Sequence, residues 1–242
     1  MTEDEISRVK TELKNKKGKE AYAIANAVLE ADEEDSQAWY YLMQTFELVL
    51  PIDRYQSSNE LTCGENAIDC ASSDEKAGMA AQVYAFYLRK AQNVLEYEEK
   101  KLADAREIAS YFQRKVYFDE VGAVKMTFEK DKPLIQAVQR SFSYVFDLFD
   151  GVAREAVRSN PDLNALCGLL ARQWRRTYSY LEIRYEFYRK QLTEDEIRYG
   201  LERYAHLLRD VTDADSIIEK TVPFNLHQWD QKEYLERARG MA

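Results

Sequence analysis

The sequence predicts an all-α protein, and three observations carry that expectation. Glycine (8) and proline (4) supply only about 5% of the 242 residues, where average usage is about 12%. β-Sandwiches, barrels and doubly wound sheets need those residues for tight reversals, so a turn-poor chain disfavours all three. Helix start signals recur along the chain, and apolar residues follow at helical spacing nearly end to end. At 45% hydrophobic and 12% aromatic, the chain is too apolar to stay disordered despite 32% charged residues.

The elements follow in order. Thr2 with Glu5 three residues later forms a capping box ahead of Ile6, Val9 and Leu13, which share one helical face. Ser57 with Glu60, and Thr193 with Glu196, repeat that signal. Pro133 and Pro161 suit a first helical turn, where a missing N–H costs nothing. Helices are therefore expected at about 3–16, 18–31, 36–50, 58–72, 75–116, 133–158, 161–192, 194–210, 213–221 and 229–239. The stretch 75–116 is expected to break once near Glu98, because 40-residue helices are rare in globular domains. Val124, Met126 and Phe128 recur at period two. A lone strand has nothing to pair with, so an extended linker or short helix is expected there. This is also the most natural boundary, dividing the chain into 1–117 and 118–242.

Residues 18–46 carry an internal pattern. Ala21 and Ala25 are small where two helices must approach. The acidic turn Asp32-Glu33-Glu34-Asp35 follows, then Ala38, Trp39 and Leu42, with Phe46 seven residues after Trp39. This resembles a tetratricopeptide repeat (TPR), with Met43 standing where the family has glycine. A weaker echo runs through Asn66, Ala67, Cys70 and Ala71 into Ala77 and Gly78, without the signature aromatic. The resemblance implies a TPR-like helix-hairpin solenoid or bundle over 1–117, with 118–242 completing or capping it. It further implies a partner-binding groove lined by Gln37, Tyr40, Gln44 and Glu47, with Tyr84 and Tyr87 as equivalents in the next helix pair.

Chemistry-bearing constellations are sparse. Cys63 and Cys70 share a helical face, but neither a Cys-x-x-Cys pair nor a nearby histidine completes a zinc site. Neither His206 nor His227 follows a glutamate by three residues, as a di-iron bundle would require. Phosphate loops and nucleophile elbows are absent. Cys167 lies in the apolar run Leu166, Gly168, Leu169, Leu170, which should raise its thiol pKa and leave it inert. No enzyme activity and no cofactor are expected.

The most distinctive stretch is 172–190. Trp174, Tyr178, Leu181, Tyr185, Tyr188 and Leu192 form one helical stripe, and Tyr180, Ile183 and Phe187 a second, the mark of a central helix. Arg172, Arg175 and Arg176 cluster here against a net charge of −9. With Tyr180 they could grip an acidic peptide, the competing role being pairing with Glu182 or Glu186. The acidic balance argues against nucleic-acid or membrane partners. The start MTEDEISRVK has no apolar h-region and the three cysteines are sparse, so a cytoplasmic protein is expected. Taken together, the expected function is a non-catalytic protein- or peptide-interaction scaffold. The alternative is a ligand-sensing helical module with a pocket along 172–190.

Overall fold

Thr2 caps the first helix as its spacing dictates: its Oγ1 accepts from the Glu5 amide, and the Glu5 carboxylate accepts from the Thr2 amide at 2.8 Å. The computed structural model describes residues 1–49, 57–115, 122–187, 192–221, 233 and 236, with side chains except at 47, 49, 104–115, 122–134 and 184–187. Every regular element among them is an α-helix: α1 Glu3–Lys14, α2 Gly18–Ala31, α3 Ser36–Val49, α4 Ser57–Asp69, α5 Lys76–Lys115, α6 Gly122–Asp150, α7 Arg154–Ser159, α8 Pro161–Phe187, α9 Glu194–Leu208 and α10 Ala214–Lys220. None of these is long and apolar enough to cross a membrane.

Several ends differ from the sequence expectation for identifiable reasons. α1 stops at Lys14 because Lys16 takes a left-handed backbone (φ 59°). The amides of Lys16 and Lys17 then close back on Leu13 O and Glu12 O at 3.0 and 2.9 Å, a Schellman-type stop at a position that usually takes glycine. α5 runs unbroken through Glu98, since no glycine or proline interrupts it after Gly78 and the buried positions Val94, Leu95, Glu98 and Leu102 keep helical spacing. α6 begins at Gly122, so the period-two segment at 124–128 is helical and Pro133 lies inside the helix rather than at its start. The helix expected over 133–158 is interrupted at Gly151, leaving α7 separate. Asn160 behaves as expected: its Oδ1 accepts from the amides of Asp162 and Leu163 at 2.9 and 3.3 Å, opening α8 at Pro161. The division expected near 118, and the helix expected at 229–239 apart from Glu233 and Glu236, lie outside the described residues.

The chain divides into two units, Met1–Tyr87 with Asp150–Val152, and Leu88–Phe149 with Ala153–Ala242. In the first, consecutive helices run antiparallel. Tyr22 near the start of α2 meets Phe46 near the end of α3, ring centroids 6.3 Å apart. Cys70, just past α4, lies beside Glu33 O in the α2–α3 turn. Close approach is licensed by small residues, for Ala21, Ala25 and Ala38 are wholly buried. Met43 is wholly buried too, filling the space a glycine would leave.

In the second unit Trp174 is the centre, 0% exposed. Phe142 and Phe146 of α6 meet it at centroid distances of 4.4 and 5.0 Å. Its Nε1 donates to Gly200 O of α9 at 3.3 Å. The stripe Trp174, Tyr178, Leu181 and Leu192 is core as expected, while Tyr185 and Tyr188 have no described side chains. Of the second stripe, Ile183 is exposed and Tyr180 half-buried, so neither is core, and Phe187 has no described side chain. The other buried face of α8 is polar instead. Thr177 Oγ1 donates to Leu95 O, and Gln173 Nε2 to Glu99 Oε2, at 3.2 and 2.6 Å.

One device occurs in both units. α4 and α9 each carry Ser/Thr-x-x-Glu-x-x-x-Gly, as Ser57, Glu60, Gly64 and as Thr193, Glu196, Gly200. A tyrosine from the neighbouring helix lies over each glycine and donates its hydroxyl to the carbonyl four residues earlier. Tyr87 donates to Glu60 O at 3.1 Å, and Tyr178 donates to Glu196 O. A Cβ at Gly64 would overlap the Tyr87 hydroxyl, and one at Gly200 would lie 2.5 Å from Tyr178 Cε1. Glycine is needed here for contact, with no demand on its backbone angles.

Candidate functional site

α8 presents its first turns to a groove of about 520 Å³. Ala165, Gly168 and Leu169 form one wall and Val211 and Ile217 the other, with Arg158, Arg172 and Asp213 at the edges. Gly168 matters to the shape, since a Cβ there would sit 3.0 Å from Ile217 Cδ1. Leu169 is 43% exposed, a large aliphatic surface left in water beside an exposed arginine.

Asn164 fixes the groove's end. Its Nδ2 donates to Val157 O and Asp210 O at 3.2 and 2.8 Å, and its Oδ1 accepts from the Thr212 amide at 3.1 Å. Asp210 gathers the arginines behind it, receiving Arg154 Nε at 2.9 Å and Arg158 at 2.7 Å. Burial opposes ionisation of Asp210, but the two guanidinium groups outweigh it and hold its carboxyl below the usual range. Arg209 also approaches this carboxylate, at 3.5 Å, and Arg172 adds a further cation at the groove. Arg158 and Arg172 line the groove together with one acid, Asp213, on a chain of net charge −9.

The residues expected to meet a partner are scattered. Arg172 is exposed at the groove. Arg175 is buried, 1% exposed, where its Nη2 donates to Glu182 Oε2 at 2.8 Å, so it cannot reach a partner. Arg176 is largely exposed and bridges to Glu99 of α5 at 2.7 Å. Successive residues diverge by about 100° around a helix, which is why three neighbouring arginines serve three different surroundings. Gln37, Tyr40 and Gln44 are half-buried on one face of α3, the Tyr40 ring lying edge-on to Tyr41 at 5.5 Å. Tyr84 is half-buried on α5. Tyr87 is 2% exposed and committed to the α4 backbone, so it too is unavailable to a partner. The Glu47 side chain lies outside the described residues.

Sequence reasoning missed Arg158, Leu169 and Ile217. A signal existed for the first two. Arg154 and Arg158 are one turn apart, and the uncharged run 164–171 is apolar around more of the helix than one core face can bury.

Reactive groups are few at this site. Cys167 behind the groove is buried, which pushes its thiol up to about 12 and keeps it protonated. His206 lies on α9 against the Phe149 ring at 5.2 Å. Among the described residues, no cluster of three or more His, Cys, Asp or Glu could hold a metal ion. What the groove offers is aliphatic contact flanked by guanidinium groups, the pairing that suits an acidic chain with an aliphatic anchor. Comparison with family models, curated proteins and solved structures finds no match for the chain.

Proposed function

We propose that this chain is a non-catalytic, TPR-like helical module that binds an acidic segment of a protein or peptide partner at the groove between α8 and α10. The observation carrying this reading is exposed Leu169 beside Arg172 and Arg158, in a walled groove of about 520 Å³. An aliphatic side chain of the partner seats between Leu169 and Ile217, and a neighbouring carboxylate meets Arg172. The TPR-like part of the reading is supported by the antiparallel α2–α3 pair with its buried alanines.

The test is peptide selection. A random peptide display library is panned against the whole chain and the winners are titrated against Arg172→Ala and Leu169→Ala. Both positions are exposed, so both variants should melt as the parent does. Selected peptides should carry Asp or Glu next to Leu, Ile or Val and lose about tenfold affinity or more with either variant. Basic or uncharged winners, or equal binding by both variants, would refute the proposal.

A ligand-sensing module with a pocket along 172–190 is the second reading. One observation favours it, a separate cleft of about 380 Å³ reaching Tyr178 and Leu181.

A further inference from the structure

We infer that the cleft between α6, α8 and α9 binds an organic cation, a ligand with an alkylammonium group. The inference rests on the ligand-sensing reading and is independent of the α8–α10 groove. Phe142, Tyr178 and Tyr199 supply aromatic walls, Leu181 and Leu192 supply aliphatic ones, and Asp195 stands at the edge in a space of about 380 Å³. Tyr199 is only half-buried, leaving part of its ring to the cleft.

Three physical points select the ligand class. Aromatic faces carry negative charge density and attract cations, most of all soft ones whose hydration is easily surrendered. One of these rings already meets a cation: the Arg203 guanidinium carbon stands 5.5 Å from the Tyr199 centroid. The charged groups lining the cleft, Asp195 and Glu196, are both acidic. The Glu196 carboxylate already accepts from the Thr193 amide and hydroxyl, so Asp195 is the acid a ligand would meet. It would repel an anion and be left unused by a neutral apolar molecule. A small metal ion would find aromatic walls in place of the oxygen ligands it needs. An alkyl tail against Leu181 and Leu192, with an ammonium between Tyr199 and Asp195, matches the apolar, aromatic and acidic parts of the lining.

Amide NMR on the full chain tests this, with n-pentyltrimethylammonium, neutral n-hexanol and anionic hexanoate titrated at constant ionic strength. The cation should shift the amides of residues 195–200 and bind about tenfold more tightly than hexanol. Asp195 is exposed at the first turn of α9, so Asp195→Asn should fold normally and remove most of that preference. Tyr199→Leu should weaken the cation more than hexanol. Equal binding of hexanol and the cation, or a cation preference intact in Asp195→Asn, overturns the proposal while leaving an apolar ligand pocket. No shift with any probe up to about 10 mM overturns it together with the ligand-sensing reading.

Discussion

Replacing Gly200 by alanine sets two effects of opposite sign against each other. Gly200 lies inside α9, where alanine is favoured over glycine by about 0.8–1 kcal/mol on helix propensity alone. The new Cβ, however, would lie 2.5 and 2.6 Å from Tyr178 Cε1 and Cζ, where ordinary contact is about 3.5–4 Å. The ring must therefore retreat by about 1 Å. That movement disturbs its packing, since the ring is 2% exposed and set against Trp174 and Phe142 at centroid distances of 5.5 and 6.3 Å. Overpacking of this kind costs about 1–3 kcal/mol, and straining the Tyr178 hydrogen bond to Glu196 O adds about 1 kcal/mol. The net expectation is a loss of about 1–3 kcal/mol, or about 2–4 °C in melting temperature for each kcal/mol in a chain of this size. Urea and thermal unfolding followed by circular dichroism would measure it. Gly78→Ala is the internal control, because nothing lies within 4 Å of the position a Cβ would take there. It should be neutral or stabilising by up to about 1 kcal/mol. If Gly200→Ala raises stability as Gly78→Ala does, the tyrosine-on-glycine contact is not a constraint and the packing described for α8 and α9 is wrong.

Lys16→Gly should stabilise by about 0.5–1 kcal/mol in the same unfolding assay, since Lys16 holds the left-handed position that ends α1. Arg175→Ala should cost about 3–5 kcal/mol because it removes the guanidinium paired with the buried Glu182 carboxylate; Arg175→Met with Glu182→Leu should recover most of that. With a thiol reagent at neutral pH, Cys70 should label first. Burial pushes the Cys63 and Cys167 thiols up to about 12, so these should label only as the chain unfolds. Asp210 has a depressed folded-state pKa, so its contribution is complete above the ordinary aspartate range and is lost as pH falls through the folded value. Unfolding of the parent should therefore steepen below about pH 4, and Asp210→Asn should be less stable at neutral pH with a flatter acid limb.

Local signals were readable where the cause lies within a few residues. The capping boxes at Thr2 and Thr193 and the Asn160-Pro161 start of α8 depend on side chains reaching their own helix, and all three are present. The all-helical character followed from spacing and turn scarcity in the same way. The misplaced features depend on distant partners or on backbone choices with weak signals. Lys16 adopts a conformation that composition assigns to glycine. The break expected near Glu98 rests on the rarity of 40-residue helices, yet Glu98 is buried in a continuous helix and accepts from Ser141 Oγ, 43 residues away, at 2.8 Å. Arg176 finds Glu99 at a separation of 77 residues, a pairing no local pattern encodes. The groove needed α10 to be placed against α8, which is why Arg172 was legible as a candidate while Ile217 was not.

The most direct test of the proposed function is hydrogen exchange on the whole chain, free and saturated with an acidic peptide obtained by selection. Binding at the groove should slow exchange at 164–172 and 211–217 and leave α2 and α3 unchanged. Protection centred on 37–44, with the groove amides unaffected, would move the partner to the α3 face of Tyr40 and Gln44 and contradict the assignment of the site to α8.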